Sequence, residues 1–283
     1  MPYTLNIKGR LLPLTPPRVM GILNATPDSF FAGSRMQTEE AIAQRTRQIV
    51  AEGADIIDVG ACSTRPDSTP VSEQEEMARL RTALTVITSH LEKNSSHLEE
   101  PPILSVDTFR PDVARMAVEE FGADIINDVS EGSPAMFRMA ARLGKPYVLT
   151  SVQADLRSTL LAFAAKVQQL RDLGQKDIIL DPGFGFGKTV EQNFSLMRDL
   201  EKLSVLDLPL LVGISRKSMI YKTLGCTPDE ALGGTTVLNT VALMKGASIL
   251  RVHDVKAAVD CITITAHLSP LTSQFSSCFS TSD

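Results

Sequence analysis

The sequence predicts an α/β fold, a single (β/α)8 TIM barrel, from three observations. Short aliphatic runs that end in a polar residue recur eight times along the 283-residue chain. Near-continuous apolar runs of this kind are typical of parallel strands that are buried on both faces. Successive runs end about 32 residues apart on average, enough for one strand and one helix. No change in composition divides the chain, which favours one barrel over two domains.

The predicted strands end near polar side chains, at Asn24, Asp58, Asp107, Asn127, Thr150, Asp181, Ser215 and Arg251. The segments EGADIIDV, FGADIIND and KGASILRV are close copies of one helix-to-strand junction. The glycines at such junctions, where a helix end favours positive φ, are Gly53, Gly122, Gly144, Gly174 and Gly246.

The helices between the strands have their own signals. Ser72 with Glu75 predicts a capping box at the start of a long helix. Pro111 suits the first turn of the next helix. Helical spacing of apolar residues extends over 155–173, 191–203 and 230–245.

The two ends of the chain differ from the repeating units. Residues 3–14, YTLNIKGRLLPL, precede the first unit, and we expect a short β-hairpin that closes the bottom of the barrel. We assign residues 1–267 to the barrel domain. Residues 268–283 are rich in Ser and Thr, and we interpret them as a polar, disordered tail.

Bulk properties exclude several classes of protein. Hydrophobic residues make up 43% and charged residues 22%, as in ordinary soluble proteins. The net charge of −5 predicts no general attraction to nucleic acid or to acidic membranes. No signal-peptide pattern or run of ~18 apolar residues is present. Cys62, Cys226, Cys261 and Cys278 form no CxxC pair, so we expect free thiols and a cytoplasmic protein.

The segment IILDPGFGFGK, residues 178–188, carries the strongest functional signal. Active sites of (β/α)8 barrels lie at the carboxyl ends of the strands. A lone ionised acid such as Asp181, at the end of an apolar strand, has few structural explanations, because buried charges require partners. The following GFGFGK fits neither GxxxxGK[ST] nor GxGxxG, so nucleotide binding by this loop is not favoured.

Other acids and amides at strand ends allow two interpretations each. Asp107 is either a site residue or the N-cap of the helix near Pro111. One of Asn127 and Asp128 forms a turn and the other faces the barrel mouth. Asp58 is either a buried structural residue or a substrate contact. Asn24 is either a turn residue or a ligand of a metal or phosphate.

Basic residues cluster after the last strands and predict an anion pocket. Arg251 and His253 share one face of an extended segment, since side chains alternate along a strand. His253 alone would favour a satisfied core histidine, but the neighbouring arginine favours a site. Phosphate sites of this fold often lie near strands 7 and 8. SRKS, residues 215–218, adds two cations, and Thr64 with Arg65 adds a hydroxyl and a guanidinium.

Together these motifs resemble the dihydropteroate synthase family over residues 18–258. They are MGILNATPDSF (20–30), IIDVGACSTRP (56–66), SVDTFRPDVA (105–114), IINDVS (125–130), LDPGFGFGK (180–188), GISRKSM (213–219) and RVHDV (251–255). The resemblance implies a transferase of folate biosynthesis with a (β/α)8 fold, a Mg²⁺ ion and a homodimer. The implied reaction joins 6-hydroxymethyl-7,8-dihydropterin diphosphate to 4-aminobenzoate, and it releases diphosphate and 7,8-dihydropteroate.

The resemblance also implies roles for individual residues. Asp181 would accept from neighbouring N–H donors of the pterin ring, Asp107 and Asn127 would bind the remaining ring edge, and Lys217 would donate to its acceptors. Phe186, Ser215 and Pro66 would line the aminobenzoate pocket. The implied substrate-binding residues are Thr64, Arg65, Asp107, Asn127, Asp181, Phe186, Ser215, Lys217, Arg251, Val252 and His253. Of these, Lys217, Asp107, Arg251 and His253 are the implied catalytic residues.

The diphosphate is expected to bind apart from the pterin ring. Asn24 resembles the family's Mg²⁺ ligand, and Thr64, Arg65, Arg251 and His253 would complete the anion pocket. The attacking aromatic amine is neutral, so no strong general base is required. Catalysis would come mainly from positioning and electrostatics.

Two segments depart from the family pattern. Thr150-Ser151-Val152-Gln153-Ala154 replaces Met-His-Met-x-Gly, so a pterin-pocket methionine is here Thr150. Ala61-Cys62 replaces Gly-Glu before Ser-Thr-Arg-Pro. Two alternatives therefore stay open, a pterin-binding methyltransferase of similar fold and a pterin-binding paralogue that has lost turnover.

Overall fold

The computed structural model describes residues 3–25, 35–62, 71–93 and 101–268. In this part of the chain eight parallel strands form a closed barrel, in the order β10-β3-β4-β5-β6-β7-β8-β9. They are β3 (Arg18–Asn24), β4 (Ile56–Gly60), β5 (Ile103–Asp107), β6 (Ile125–Asp128), β7 (Tyr147–Thr150), β8 (Ile178–Asp181), β9 (Leu210–Val212) and β10 (Ala247–Val252). The predicted (β/α)8 barrel is confirmed.

Helices surround the barrel. They are α1 (Arg35–Ala51), α2 (Glu73–Lys93), α3 (Pro111–Phe121), α4 (Pro134–Leu143), α5 (Leu156–Asp172), α6 (Val190–Arg198), α7 (Ser218–Leu224), α8 (Leu232–Met244) and α9 (Val255–Leu268). Short 3-10 helices cover Leu200–Leu206 and Pro228–Glu230. Within the described residues, no helix has both the length and the apolar character to cross a membrane.

Local signals in the sequence correspond to the observed helix ends. The Ser72 hydroxyl accepts from the Glu75 N–H at 3.2 Å, but the Glu75 carboxylate pairs with Arg79 at 2.7 Å, so half of the predicted capping box forms. Pro111 opens α3 as predicted. The five junction glycines all have positive φ, as predicted.

Two strands end two or three residues away from the polar residues near which their ends are predicted. β9 ends at Val212, three residues before Ser215, because the chain then turns and Arg216 adopts a left-handed φ of 55°. The turn is closed by a hydrogen bond from the Lys217 N–H to the Ile214 carbonyl at 3.1 Å. β4 continues past Asp58 to Gly60.

An apolar layer fills the lower part of the barrel interior. It contains Met20, Ile56, Ile125, Val148, Ile179, Leu211 and Ile249. The hairpin of β1 (Thr4–Ile7) and β2 (Arg10–Pro13) adds Leu5, and Leu14 follows it into the same cluster. The predicted hairpin at the bottom of the barrel is therefore confirmed.

Directly above the apolar layer the barrel interior becomes polar. Side chains alternate between the two faces of a strand, so the residue two positions further along points inward again. Those residues include Asp58, Ser105, Asn127, Thr150, Asp181 and Arg251, which belong to six different strands. Barrel closure thus gathers polar side chains that are far apart in sequence into one layer at the mouth.

Candidate active site

Asp58 is the centre of the hydrogen-bond network in the polar layer. Its side chain is fully buried. Oδ1 accepts from the Ser105 hydroxyl at 2.6 Å, and Oδ2 accepts from Asn127 Nδ2 at 3.0 Å and from Arg251 Nε at 2.7 Å. The structural interpretation of Asp58 is therefore supported, and its role is to position two other candidate site residues.

Arg251 bridges two carboxylates. Its Nη2 donates to Asp107 Oδ2 at 2.5 Å, in addition to the bond from Nε to Asp58. Burial raises the pKa of Asp107 to about 7, although Arg251 opposes this shift. Burial alone would lower the pKa of Arg251, but Asp58 and Asp107 raise it above its ordinary value. Arg251 therefore stays charged at neutral pH, and two of its N–H groups are bonded to the side chains of Asp58 and Asp107.

The alternative role of Asp107 as a helix cap is excluded. The N-cap of α3 is Arg110, and no side chain caps this helix. Thr108 and Arg110 instead contact the buried carboxylate of Glu76 on α2. Asp107 is left at the barrel mouth beside Arg251.

Asp181 lies deep in the opposite side of the mouth, at the end of β8. Only 4% of its surface is exposed, and Oδ1 accepts from the Gly183 N–H at 2.8 Å. Burial raises its pKa, and the charge of Lys217 is the largest opposing effect. This half-satisfied carboxylate has its other oxygen available for a donor.

The glycine-rich loop after Asp181 is held in place by hydrogen bonds. Gly183 has a φ of 68°, and a Cβ there would lie 1.9 Å from the Ser151 carbonyl oxygen, so only glycine fits. Lys188 Nζ donates to the carbonyls of Ser151 and Gly183 at 3.1 and 2.9 Å. Asn193 Oδ1 accepts from the Gly185 N–H at 2.7 Å. The loop therefore forms a fixed wall beside Asp181.

Lys217 and Phe186 meet above Asp181. Lys217 Nζ donates to the Phe184 carbonyl and lies 4.7 Å from the centroid of the Phe186 ring. Burial lowers the pKa of Lys217 to about 8, while Asp181 opposes that shift. The ammonium is thus charged at neutral pH and faces a carboxylate and an aromatic wall.

His253 and Ser215 form the other end of the mouth, next to Arg251. The Ser215 hydroxyl accepts from the His253 backbone N–H at 3.2 Å and lies 3.1 Å from His253 Nδ1. Burial and the charge of Arg251 lower the pKa of His253 to about 4, so the ring is neutral at pH 7. A neutral imidazole can donate one N–H to an anion while its other nitrogen faces Ser215.

A cavity of about 630 Å³ extends from this side of the mouth into the groove between α1 and α9. Asn24 and His253 line it at the mouth, and residues of both charges, among them Arg45 and Glu52, line it between the helices. The Asn24 side chain makes no hydrogen bond with the described residues, so its amide oxygen is available to a ligand. Arg216, which also lines the cavity, is already paired with Asp254 at 2.7 Å. Of the two cations of SRKS, only Lys217 faces the barrel interior.

The described structure does not place two groups of predicted site residues in the site. Val252 is fully buried in the core between the strands and the helices, so its side chain does not face the mouth. This corrects its assignment as a substrate-binding side chain, because strand alternation directs it away from its neighbours Arg251 and His253. Thr64, Arg65 and Pro66 lie outside the described residues, as does the predicted tail after Leu268.

Sequence reasoning missed Ser105, Lys188 and Asn193. Ser105 precedes Asp107 by two residues, and this spacing was the available signal for an inward-facing partner. Lys188 directly follows the glycine loop, but its bonds to the Ser151 and Gly183 carbonyls require the packed structure. Asn193 lies on α6 and gives no local signal.

Known proteins are similar to this chain over most of its length. The sequence profile of the family described as pterin binding enzyme matches residues 20–253. Dihydropteroate synthase of Escherichia coli K12 is 37% identical over 273 residues, which is 91% of this chain and 93% of the relative. The structure of Xanthomonas albilineans dihydropteroate synthase with 4-aminobenzoic acid has a TM-score of 0.86 at 34% identity, covering 96% and 100% of the two chains. The same enzyme in complex with 7,8-dihydropteroate has a TM-score of 0.82 at 33% identity, covering 95% and 100%.

Proposed function

The chain belongs to the pterin-binding enzymes, and on that premise we propose how its barrel mouth carries out dihydropteroate synthesis. The enzyme is a transferase of folate biosynthesis that joins a dihydropterin diphosphate to 4-aminobenzoate. The C–O bond from the pterin methylene to diphosphate breaks and a C–N bond to the aromatic amine forms. The amine loses one proton to solvent or to the departing diphosphate.

The assignment of residues to the pterin ring rests on two hydrogen-bond acceptors at the barrel mouth that are available to one ligand. Asp181 has one carboxylate oxygen bonded to the Gly183 N–H and a second oxygen left for a ligand. Asn127 is fixed by its Nδ2 bond to Asp58, while its buried Oδ1 has no partner among the described residues. Buried polar atoms are almost always paired, so these acceptors favour a ligand with adjacent N–H donors. The amino-pyrimidinone edge of a pterin presents such donors.

Lys217 and Phe186 support the placement of the ring. The ammonium can donate to ring oxygen and nitrogen acceptors, and its methylene stem can cover the ring face. Asp107 would contact the remaining ring edge. A substrate analogue that lacks one of these partners leaves a buried group unpaired, which gives the site specificity.

The diphosphate is proposed to lie at the opposite end of the mouth. Arg251 retains its positive charge through Asp58 and Asp107, and His253 offers a neutral N–H donor. Both would stabilise charge that grows on the leaving diphosphate. The amine attacks without a dedicated base, so the catalytic task of the protein is to position both substrates and to neutralise the leaving group.

We propose one Mg²⁺ at Asn24. In the described residues no cluster of three or more His, Cys, Asp and Glu is arranged to hold a metal. A single free amide oxygen fits Mg²⁺ that arrives with substrate phosphates, since this ion often binds few protein ligands and keeps waters. When bound, the ion would neutralise charge on the diphosphate. Asn24→Ala should raise the Mg²⁺ concentration needed for diphosphate binding, measured by calorimetry, whereas an unchanged requirement would exclude Asn24 as a ligand.

Turnover is tested by measuring diphosphate and dihydropteroate together. We expect both products in equal amounts only when the pterin diphosphate, 4-aminobenzoate and Mg²⁺ are all present. Folded protein that binds the pterin but forms neither product would instead support the paralogue without turnover. The methyltransferase alternative is not supported, because the relative and the solved structures compared above are dihydropteroate synthases.

We also propose a cytoplasmic homodimer. Five large apolar side chains are exposed on the adjacent helices α8 and α9, namely Leu232, Val237, Met244, Ile264 and Leu268. An apolar patch of this kind often marks a protein interface. Cys226 and Cys261 carry free thiols, which suits a reducing compartment. Sedimentation equilibrium should give twice the chain mass, and a charged substitution of Val237 should give the monomer; a wild-type monomer at micromolar concentration would exclude the dimer.

A further inference from the structure

Thr150 places a buried hydroxyl at the end of β7. Its exposed fraction is 1%, and Oγ1 has no hydrogen-bond partner among the residues that the structure describes. Two other hydroxyl groups on barrel strands are paired. Ser105 donates to Asp58, and the Tyr147 hydroxyl donates to Asp128 at 2.7 Å. Thr150 is therefore an exception that requires a specific explanation.

The register of the strands directs Thr150 into the candidate pterin site. Thr150 pairs with Asp181 across β7 and β8, so the two side chains leave the sheet on the same face. Asn127 pairs with Val148, and Thr150 is the next residue of β7 after Val148 that faces the interior. Thr150 therefore lies one layer of side chains above Asn127. The three oxygen-bearing side chains thus belong to adjacent strands and face one interior space.

The Thr150 methyl group lies close to Gly183. A Cβ at Gly183 would lie 3.2 Å from Thr150 Cγ2, so the methyl packs against the loop after β8. The hydroxyl occupies a different position around the same Cβ. Asn127 Oδ1 in the same space also has no partner among the described residues. The other buried side-chain atoms without a partner in the described chain lie elsewhere, for example on α5 and α8.

We propose that Thr150 is a specificity-determining residue whose hydroxyl hydrogen-bonds the pterin ring beside Asp181 and Asn127. This inference rests on the proposed function. The sequence pattern of the family places an apolar methionine at this position, so the contact would be a property of this chain. Three oxygens on β6, β7 and β8 then bind the ring edge, and a hydroxyl can serve either a ring N–H or a ring carbonyl.

The test compares three variants of the full-length protein with wild type. Thr150→Val keeps the shape but removes the hydroxyl, Thr150→Ser keeps the hydroxyl, and Thr150→Met restores the family pattern. Calorimetry with 6-hydroxymethylpterin should show roughly 5- to 10-fold weaker binding by the valine variant and less than about 2-fold change by the serine variant. The KM for 4-aminobenzoate should stay unchanged while the KM for the pterin diphosphate rises.

Thermal unfolding separates a ligand contact from a structural role. Replacing an unpaired buried hydroxyl by a methyl group should leave the Tm of the valine variant equal or higher. The methionine variant should also lose pterin affinity relative to wild type, because its thioether supplies no comparable donor. A valine variant that binds the pterin as tightly as wild type would overturn the inference alone. Wild-type protein that binds no pterin would overturn the proposed function as well.

Discussion

Asp58 Oδ2 and Arg251 Nε lie 2.7 Å apart and join two strands of the barrel, β4 and β10, that are separated by β3. The same carboxylate oxygen also accepts from Asn127. One buried acid therefore orients a residue assigned to the pterin ring and a residue assigned to the diphosphate. Asp58 therefore holds residues at both ends of the proposed site in position.

Asp58→Asn should lower both stability and activity. The change removes the charge that offsets buried Arg251 and replaces an acceptor with a possible donor. Breaking a buried ion pair typically costs about 3–5 kcal/mol, and the asparagine amide should keep the loss near the lower limit. We expect a decrease of about 3 kcal/mol in the free energy of urea unfolding and at least a 10-fold decrease in kcat/KM, of the order given by one lost charged hydrogen bond.

Asp55→Asn is the matched control for this change. Asp55 also pairs with an arginine, Arg18, at 2.8 Å, but at the bottom of the barrel and partly exposed. It should cost little stability and leave kcat/KM unchanged. Wild-type kinetics in the Asp58 variant would remove Asp58 from the positioning role.

Asp181→Asn should weaken pterin binding without weakening diphosphate binding. The amide oxygen can still accept from the Gly183 N–H, which leaves an NH2 group facing the donors of the ring. Loss of one charged hydrogen bond predicts roughly 10- to 100-fold weaker binding of 6-hydroxymethylpterin by calorimetry.

A second aspartate provides the control for burial. Asp128→Asn removes a buried carboxylate on β6 that accepts from Tyr147 and Ser130. It should lower the Tm but retain pterin affinity. Equal pterin affinity in wild type and the Asp181 variant would contradict the ring-binding role of Asp181.

Arg251→Lys should affect the diphosphate more than the ring. Lysine keeps the charge but cannot bond Asp58 and Asp107 in the same forked geometry. Affinity for the pterin diphosphate should fall by about 10-fold or more, and affinity for bare hydroxymethylpterin by much less. Arg216→Ala, at a rim arginine that is paired with Asp254, should change neither by a comparable factor. An equal loss for both ligands in Arg251→Lys would place Arg251 outside the diphosphate pocket.

Pterin affinity should decrease as the pH rises through about 8. The pKa of Lys217 is lowered by burial to about 8, so its ammonium is charged below this pH and neutral above it. Asp107, with a pKa raised by burial to about 7, has completed most of its ionisation before that range. Lys217→Arg should remove the decrease, because arginine stays charged, while lowering affinity at every pH.

A substitution of Lys188 shows which of two lysines with similar pKa values causes the pH dependence. Burial also lowers the pKa of Lys188 to about 8, but its contacts are carbonyls of the loop. Lys188→Arg should therefore retain the decrease in affinity above pH 8. If this variant removes the pH dependence and Lys217→Arg does not, the titrating group is Lys188.

Sequence patterns predicted those features that depend on local chain geometry. Asp107, Asn127 and Asp181 follow apolar runs, and strand alternation with barrel closure accounts for their common position. The aliphatic run before Ser215 predicts a strand end there, but the left-handed turn at Arg216 gives no sequence signal. The role of Asp58 depends on contacts between β4 and β10, which follow only from a closed barrel. The hydrogen bonds between Lys188 and the loop after β8 likewise depend on the packed structure and could not be predicted from the sequence.

A crystal structure of the enzyme with the pterin diphosphate would locate both halves of the substrate in the barrel mouth. We expect the pterin ring edge against Asp181, Asn127 and Thr150, with the diphosphate at Arg251, His253 and Asn24. The reverse orientation, with phosphate on the GFGFGK loop and the ring beside His253, would contradict this expectation.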